Sequence, residues 1–221
     1  MHKPKQLTSI NMKRLTYLLS LFLLLPVLAQ AVTIDPTETD KNKTTQEEAP
    51  KWSFDKAHSA VSFSIRHIFT PVRGEFSEYS GDVYFDPNNL DASSVDVIIQ
   101  VSSIDTKNGK RDGHLQSPDF FNAEKYPEIR FTADEFKKTG NNEFVAMGEL
   151  TIKDVTKEFE LPFTLLGVGE HPMMKGTKIA AMEMNTKLMR NNFNVGTGDW
   201  TETAVVGDEV DIKITLELLN K

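Results

Sequence analysis

The sequence predicts an all-β domain of antiparallel strands that closes into a barrel or folds as a sandwich. Apolar and polar residues alternate with a period of two, not 3.6, along at least eight segments between Val61 and Leu218. Short links rich in Gly, Pro, Asn and Asp, such as residues 86–89 and 139–142, separate many of these segments. Each strand therefore has an apolar face, and we expect its polar face to meet water.

Residues 1–31 are predicted to be a signal peptide. They contain four basic residues and no acidic one, and residues 15–28 are almost wholly apolar. This apolar run is shorter than the roughly 20 residues that a membrane-spanning helix needs. Small residues at Ala29 and Ala31 form a cleavage signal. We expect cleavage after Ala31, export to the periplasm and no stable membrane insertion afterwards; an uncleaved anchor is the alternative.

Residues 32–50 are predicted to be a disordered acidic linker. They are rich in Thr, Glu, Asp and Lys and have hardly any apolar residues, so they cannot bury enough surface to offset the entropy of ordering. The folded unit is expected to cover residues 51–221. Its length suits one domain with a substantial core.

The charge of the exported chain excludes some classes of partner. The whole chain has 25 basic and 32 acidic residues, and four of the basic ones lie in residues 1–31. The remainder therefore carries a net charge of −11, which argues against binding to nucleic acid or to anionic lipid surfaces. The chain has no cysteine, which excludes disulfides and thiolate zinc sites.

The alternating segments define the predicted strands. In chain order they cover residues 61–67, 83–85, 95–101, 129–133, 144–152, 159–165, 180–184 and 210–218. In the first of them, Val61, Phe63 and Ile65 alternate with polar residues. Turn residues predict chain reversals at Thr70-Pro71 and Ser80-Gly81.

Residues 108–131 break the alternation and predict a structured connection. Ser117-Pro118 has the character of a helix N-cap followed by proline at the first helical position, so short helical turns are expected over residues 111–115 and 118–123. Phe120 and Phe121 lie in this connection. A long structured connection is a suitable lid for one end of a barrel.

Periodicity alone does not decide whether the inner faces form a packed core or enclose a cavity. Eight strands are compatible with a barrel filled by side chains and with one that holds a small ligand. The long apolar inner set favours a cavity, as do the adaptable side chains of Met182 and Met184, with Met147 as a further candidate. A close-packed sandwich is the alternative.

Four segments carry a resemblance to a known family. In order they are WSFDKAHSAVSFSIRHIF (52–69), RDGHLQSPDFFNAEKYPEIRF (111–131), GELTIKDVTKEFELPF (148–163) and NNFNVGTGDWTETAVVGDEVDIKITLEL (191–218). Together they resemble the YceI-like family of exported bacterial proteins. Asn192 and Asn194 depart from the pattern, since the family more often has Arg and Asp-Phe-Gly-like residues there.

The resemblance implies a lipocalin-like, extended eight-stranded antiparallel β-barrel with a short helical lid segment. It also implies that a long apolar tunnel holds an isoprenoid-chain lipid, such as a polyprenyl phosphate or an isoprenoid quinone. The function implied is non-enzymatic binding, transport or sequestration of this lipid, with no other cofactor. A homodimer is a further expectation by analogy with the family.

Alternation and resemblance together predict the ligand-binding residues, each of which is either a lipid contact or a core residue. They are Val61, Phe63, Ile65, His67, Phe76, Phe85, Val97, Ile99, Arg111, Phe120, Phe131, Phe163, Met182, Met184 and Ile214.

Three histidines raise the question of catalysis or metal binding: His58, His67 and His114. No pair of them has the close helical spacing that predicts convergence on one metal ion. Hydrogen bonds between His58 and Asp55 are expected to hold the first turn. His67 ends an inward row, where it either satisfies a buried carbonyl or meets the head group of the ligand.

The segment 110–114 allows two interpretations. Arg111 either forms a local ion pair with Asp112 or, like Lys110, meets a phosphate or quinone oxygen at the mouth of the tunnel. Two other functions stay open at this point. One is a stress-response or interaction protein with a solid barrel, and the other is an enzyme of lipid or redox chemistry that uses His58 or His67.

Overall fold

The computed structural model describes residues 48–221, which form one antiparallel meander with a single helix. The elements are β1 Lys51–Phe54, β2 Ala60–His67, β3 Thr70–Phe76, β4 Tyr79–Tyr84, β5 Ser94–Gln100, β6 Ile104–Asp105, α1 Gly109–Gln116, β7 Glu128–Lys138, β8 Glu143–Ile152, β9 Val155–Glu170, β10 Lys178–Met189 and β11 Val206–Asn220. Short 3-10 turns cover Leu90–Ala92, Val101–Ser103, Arg190–Phe193 and Gly198–Thr201. Within residues 48–221, no helix has the length and apolar composition to cross a membrane.

The predicted signal peptide and residues 32–47 of the predicted linker lie outside the described residues. The last residues of that linker belong to the fold, since Ala49 is buried and the Pro50 carbonyl accepts a hydrogen bond from the Phe85 N–H at 3.3 Å. Pro50 thereby extends the pairing of β1 with β4. The ordered contacts therefore begin before the boundary that was predicted at Lys51.

Eight strand positions close the barrel. β1 and β2 both lie antiparallel to β11, with Ser53 opposite Leu219 and Val61 opposite Ile214, so they are two halves of one strand. β3 and β4 continue each other in the same way, as do β5 and β6. These three broken strands and the five continuous strands β7 to β11 make eight, and each pairs with the next in sequence order. The strand made of β1 and β2 pairs with β11, which closes the barrel. The prediction of an eight-stranded antiparallel barrel with a short helical segment is confirmed.

The three breaks lie side by side on neighbouring strands, at residues 55–59, 77–78 and 101–103. Backbone hydrogen bonds bridge them: Ser77 N–H donates to the Ser103 carbonyl at 3.3 Å, and Gln100 N–H donates to the Glu78 carbonyl at 2.9 Å. The Asp55 N–H donates to the Glu217 carbonyl at 2.9 Å. The wall therefore stays closed where the regular strand-to-strand hydrogen bonding is interrupted.

The connections alternate between two ends of the barrel. We call the end with the β2–β3, β6–β7, β8–β9 and β10–β11 connections the lid end, because it carries α1, and the opposite end the far end. The inner faces of the strands together form two apolar clusters. One cluster contains Trp52, Phe85 and Phe144 near the far end, and the other contains Phe120 and Phe193 near the lid end.

Two predicted turns are wrong. Thr70-Pro71 lies inside β3 and Ser80-Gly81 lies inside β4. The reversal occurs instead at residues 68–69, where Ile68 has φ 54°. Pro71 is tolerated because that part of β3 pairs only with β2, so no hydrogen bond is lost. Gly81, with φ 144°, is required because a Cβ atom there would lie 2.0 Å from the Asp96 carbonyl oxygen.

The predicted helical segments are partly confirmed. α1 includes residues 111–115 and begins after Asn108, whose side chain accepts a hydrogen bond from the Arg111 N–H. Residues 118–123 form hydrogen-bonded turns rather than a helix. Ser117 is the C-cap of α1, not an N-cap, because its backbone N–H and its hydroxyl both donate to the His114 carbonyl.

We expect Gly148→Ala to destabilise the barrel by about 1–3 kcal/mol, because no space exists for a methyl group between β7 and β8. A Cβ atom at Gly148 would lie 1.9 Å from the Thr132 carbonyl oxygen and 2.7 Å from the Ala133 Cα atom. Urea unfolding measures the effect.

The control for Gly148→Ala is Gly113→Ala in α1, where a Cβ atom would meet nothing within 4 Å. There the substitution should raise the free energy of unfolding by about 0.5–1 kcal/mol, because alanine favours helix. Equal effects at the two positions would contradict the close approach of β7 and β8.

Candidate functional site: an apolar cavity with a cationic end

The inner faces of the strands enclose a cavity of about 400 Å³ whose wall is almost entirely apolar. Most of its lining residues follow the period of two along their strands, as in Phe159, Leu161 and Phe163 of β9. The alternative of a close-packed interior, which the sequence left open, is therefore wrong. The volume lies in the range of pockets that hold small ligands.

All fifteen residues that were nominated from the sequence lie on the wall of this cavity. They are Val61, Phe63, Ile65, His67, Phe76, Phe85, Val97, Ile99, Arg111, Phe120, Phe131, Phe163, Met182, Met184 and Ile214. That they contact a ligand stays a prediction. Met147 does not line the cavity, because the neighbouring residue Ala146 takes the inward position on β8.

Aromatic side chains close the cavity toward the far end. Phe144 stacks on Phe163 with ring centroids 5.4 Å apart and an interplanar angle of 20°. Phe85 meets both rings edge-on, at 5.4 Å from Phe144 and 5.3 Å from Phe163. The indole N–H of Trp52 donates to the Phe85 carbonyl at 2.9 Å, which satisfies the polar atom of this buried ring.

At the lid end, two connections cover the cavity and contact each other. The His114 ring packs edge-on against Phe120 and Trp200, with centroid distances of 5.1 and 4.9 Å. The Thr197 N–H donates to the Asp119 carbonyl at 2.8 Å, which joins the β10–β11 connection to the β6–β7 connection. The lid is therefore built from residues 106–127 and 190–205 together, whereas the sequence had indicated only the first.

Arg111 lines the cavity but forms no ion pair with Asp112, so that predicted alternative is wrong. Its Nε donates to the Thr106 hydroxyl and its Nη2 to the Thr106 carbonyl, both at 2.7 Å. Asp112 binds the same residue, because its Oδ1 accepts from the Thr106 backbone N–H at 2.9 Å and from the hydroxyl. The buried Thr106 therefore holds both side chains in place. Lys110 is not on the cavity wall.

Arg190 is a cavity residue that the sequence interpretation missed. Its side chain is 3 % exposed, and burial lowers the pKa of its guanidinium from the ordinary value. It donates to the carbonyls of Gly207 (2.8 Å), Val195 (2.7 Å) and Val206 (3.1 Å), which ties the β10–β11 connection together.

The signal for Arg190 was present in the sequence. The inward positions of β10 are the even-numbered residues from Ala180 onward, and the same parity continues through Leu188 to Arg190. The predicted strand ends at Met184, and the residues beyond it are not uniformly apolar.

The histidines do not converge. His67 lies on the cavity wall at the end of β2, whereas His58 lies outside the cavity at the break between β1 and β2. His58 Nδ1 is 2.9 Å from Asp55 Oδ2 and 3.5 Å from Glu217 Oε1. Among the described residues, these three side chains place their ligand atoms within 4.8 Å of one another. Their contacts fasten the break onto β11, in agreement with the expected hydrogen bonds between His58 and Asp55.

We expect Asp55→Asn to lower the pKa of His58. The pKa of His58 is raised above 6.5, first by its hydrogen bond to Asp55 and to a smaller extent by the Glu217 carboxylate. Because the folded-state pKa is raised, the contact stabilises the fold below the unfolded-state pKa and this contribution disappears as pH rises through the folded-state value.

NMR titration of the His58 ring measures this effect, and Glu217→Gln should produce a smaller decrease. A His58 pKa that does not change in Asp55→Asn would show that the turn is held in another way.

Comparison with known proteins agrees with this architecture. The model of the YceI-like domain matches residues 52–218. Protein YceI of Escherichia coli O157:H7 is 37 % identical over 161 residues, which cover 72 % of this chain and 81 % of that protein.

Two solved structures are similar to the chain. The crystal structure of Burkholderia cenocepacia BcnA has a TM-score of 0.67 and 30 % identity, and the match covers 76 % of this chain and 99 % of that one. A polyisoprenoid binding domain from Saccharophagus degradans has a TM-score of 0.59 over 77 % of this chain and 98 % of its own, and at 13 % identity it supports the fold alone. Since the family model spans nearly all of the described barrel and a relative is 37 % identical over 161 aligned residues, the chain belongs to the YceI-like family.

Proposed function

We propose that this protein binds an isoprenoid-chain lipid, a polyprenyl phosphate or an isoprenoid quinone, inside the barrel and carries or sequesters it in the periplasm. The observation that carries the proposal is the cavity inside the barrel, whose wall is almost entirely apolar. An apolar tail fits the main part of such a cavity, and a polar head fits its lid end.

The energetics suit a branched hydrocarbon tail. Each methylene group moved from water into the cavity contributes about 0.8 kcal/mol, so a chain of several isoprene units binds favourably after the cost of ordering it. Methionine side chains at Met182 and Met184 adapt to an irregular tail more readily than β-branched residues do. The domain from Saccharophagus degradans, whose fold this barrel shares, is a polyisoprenoid binding domain, and the analogy is one of fold alone.

We propose binding without catalysis because the candidate catalytic histidines are far apart. β2 alone separates the neighbourhood of His58 from His67 by roughly 23 Å of extended chain. Acid–base catalysis needs its groups within hydrogen-bond reach of one substrate. His58 is engaged with Asp55 on the outside of the wall, where an enclosed lipid does not reach it.

The periplasmic part of the proposal rests on residues 1–31. Their basic start, apolar run and small residues at Ala29 and Ala31 have the pattern of a cleaved signal peptide. Cell fractionation and intact mass measurement test it, and a mature chain that begins at Val32 is the expected result. Protein that keeps residues 1–31 and sediments with membranes would contradict it.

Lipid extraction tests the ligand. Protein purified without detergent is extracted with organic solvent, and the extract is analysed by mass spectrometry. We expect an isoprenoid-chain amphiphile in amounts comparable to the protein, and much less of it from the cavity variant Phe131→Arg. Extracts from several expression hosts that contain no such amphiphile, or equal amounts from both proteins, would overturn the proposal.

A further inference from the structure

The turn between β2 and β3 exposes apolar side chains to solvent at the lid end of the barrel. It consists of Ile68 and Phe69, which are 42 % and 94 % exposed. Val205 of the β10–β11 connection is 45 % exposed and adjoins the turn, since its carbonyl accepts a hydrogen bond from the Ile68 N–H at 2.7 Å. We call these three residues the apolar tip. A single exposed apolar side chain is ordinary, but a group of them on one projecting turn marks a contact surface.

The backbone of the apolar tip shows that the turn does not require these residues. His67 pairs with Thr70, so the turn has two residues, and the first of them, Ile68, has φ 54°. Glycine is favoured at such a position, because a left-handed backbone crowds the Cβ atom of any other residue, and β-branched side chains are rare there. Turn formation therefore does not explain the isoleucine, and its exposed side chain points to another role.

Arg66 fixes the apolar tip and places a positive charge beside it. Its Nη1 donates to the Ile68 carbonyl at 2.6 Å, and its Nη2 donates to the Thr203 carbonyl, so one guanidinium ties the β2–β3 turn to the β10–β11 connection. The tip is therefore held in place by the fold before any partner binds.

The charge around the apolar tip differs from that of the rest of the chain. Residues 66–73 and 201–206 together contain two arginines, Arg66 and Arg73, and one acidic residue, Glu202, so their formal net charge is +1. Residues 32–221 as a whole carry −11. Apolar side chains beside a cation are the composition of segments that lie in a membrane interface, where the cation meets the lipid phosphates.

The apolar tip is also continuous with the cavity wall. Ile68 directly follows His67 of β2, and Val205 directly precedes Val206 of β11, and both of these neighbours line the cavity. Val72, on the strand that leaves the turn, lines it as well. A lipid that moves between a bilayer and the cavity past this turn would therefore stay close to apolar side chains.

We propose that the apolar tip docks the protein onto a phospholipid bilayer, with Phe69 and Ile68 inserted at the interface and Arg66 at the level of the lipid phosphates. This inference goes beyond the proposed function and rests on it in one respect, namely that an isoprenoid lipid is taken from or delivered to a membrane. Because the tip is small and the chain as a whole is acidic, the docking is weak and reversible.

Sedimentation with vesicles of phosphatidylcholine and phosphatidylglycerol tests the proposal. The protein is used without residues 1–31, because that apolar segment would itself bind lipid. We expect the wild type to sediment with the vesicles, and Phe69→Ala to weaken binding by about tenfold, since the ring no longer leaves water. Vesicles of phosphatidylcholine alone should bind several-fold more weakly, because the arginines attract anionic lipid.

Ile68→Gly separates docking from stability. Glycine relieves the left-handed backbone, so the midpoint of thermal unfolding should rise while vesicle binding falls. A residue that served only the turn would not give changes of opposite sign.

Met173→Ala is the matched control. Met173 lies in the β9–β10 connection at the far end and is 87 % exposed, but that end is closed by the cluster of Phe85, Phe144 and Phe163. Its replacement should leave vesicle binding as in the wild type. Equal losses in Met173→Ala and Phe69→Ala would overturn the proposal.

Wild-type protein that does not sediment with either kind of vesicle would also overturn the proposal. Sizing chromatography then identifies the occupant: a dimer that dissociates in Phe69→Ala assigns the tip to a second copy of the chain, and a monomer assigns it to a different protein. Failure of the proposed function has another signature. Extracts without isoprenoid lipid, together with vesicle binding that depends on Phe69, would contradict the ligand and leave the docking surface.

Discussion

Phe131→Arg is expected to abolish binding of an isoprenoid tail while the barrel stays folded. Phe131 lies on β7 between Val97 of β5 and Leu150 of β8, and its ring meets Phe159 edge-on at 6.3 Å. All four side chains line the cavity. An arginine here either places its charge among apolar side chains or draws water into the cavity, and both outcomes oppose a hydrocarbon tail.

We expect at least about a 100-fold loss of farnesol affinity, since burying an unpaired charge against the tail costs several kcal/mol. Farnesol titration measures it, and circular dichroism and thermal unfolding verify that the strands persist.

The matched control for Phe131→Arg is Thr132→Arg. Thr132 is the next residue on the same strand and points to the outer face, opposite Asp96 on β5 and Glu149 on β8. The new guanidinium there meets two carboxylates and solvent, so binding and stability should stay close to the wild type. A Phe131→Arg protein that binds farnesol normally would show that the cavity does not hold the tail.

Phe144→Ala is expected to cause the largest loss of stability, about 3–5 kcal/mol. The Phe144 ring is 1 % exposed and packs against Phe163 and Phe85, both with centroids 5.4 Å away. Its removal leaves a void in the aromatic cluster that closes the far end, and the backbone of β8 is held on both sides by β7 and β9, so the void cannot collapse. Urea unfolding monitored by fluorescence gives the change in the free energy of unfolding.

Phe69→Ala is the control with the same substitution at an exposed site. Phe69 lies in the β2–β3 turn with 94 % of its side chain exposed. The change should shift the free energy of unfolding by less than about 0.5 kcal/mol. Similar losses in the two variants would mean that the exposed ring contributes to stability and that the aromatic cluster contributes less than its packing indicates.

Strand positions followed from the sequence because alternation is a local property. In a β-strand, successive side chains point to opposite faces, so the inward residues of β2 and β5 can be identified without knowing their neighbours. The same rule identified His67 as an inward residue at the end of a row, and the structure places it on the cavity wall. It extends to Arg190 only if the parity of β10 is followed past Leu188 into polar residues.

Features that depend on distant chain segments did not follow from the sequence. Thr70-Pro71 and Ser80-Gly81 are typical turn residues, yet both pairs lie in strands. Pro71 is tolerated because its part of β3 pairs with β2 alone, and Gly81 is needed because its backbone lies close to that of β5. The breaks in the first three strands are stabilised by bonds such as Ser77 to Ser103 across the wall. The bond from Arg111 to Thr106, in place of an ion pair with Asp112, likewise depends on how α1 packs onto the barrel.

The amino-acid sequence by itself determined the class of fold, the direction in which most strand residues point and the apolar character of the inner faces, since these depend on local backbone geometry and on residue type. Only the tertiary structure decided that those faces enclose a cavity and that Arg111 and Arg190 both line it. The space inside a barrel is set by the number, tilt and stagger of its strands, and its arginines come from segments about 80 residues apart in the sequence that contribute to one wall only when the ring closes.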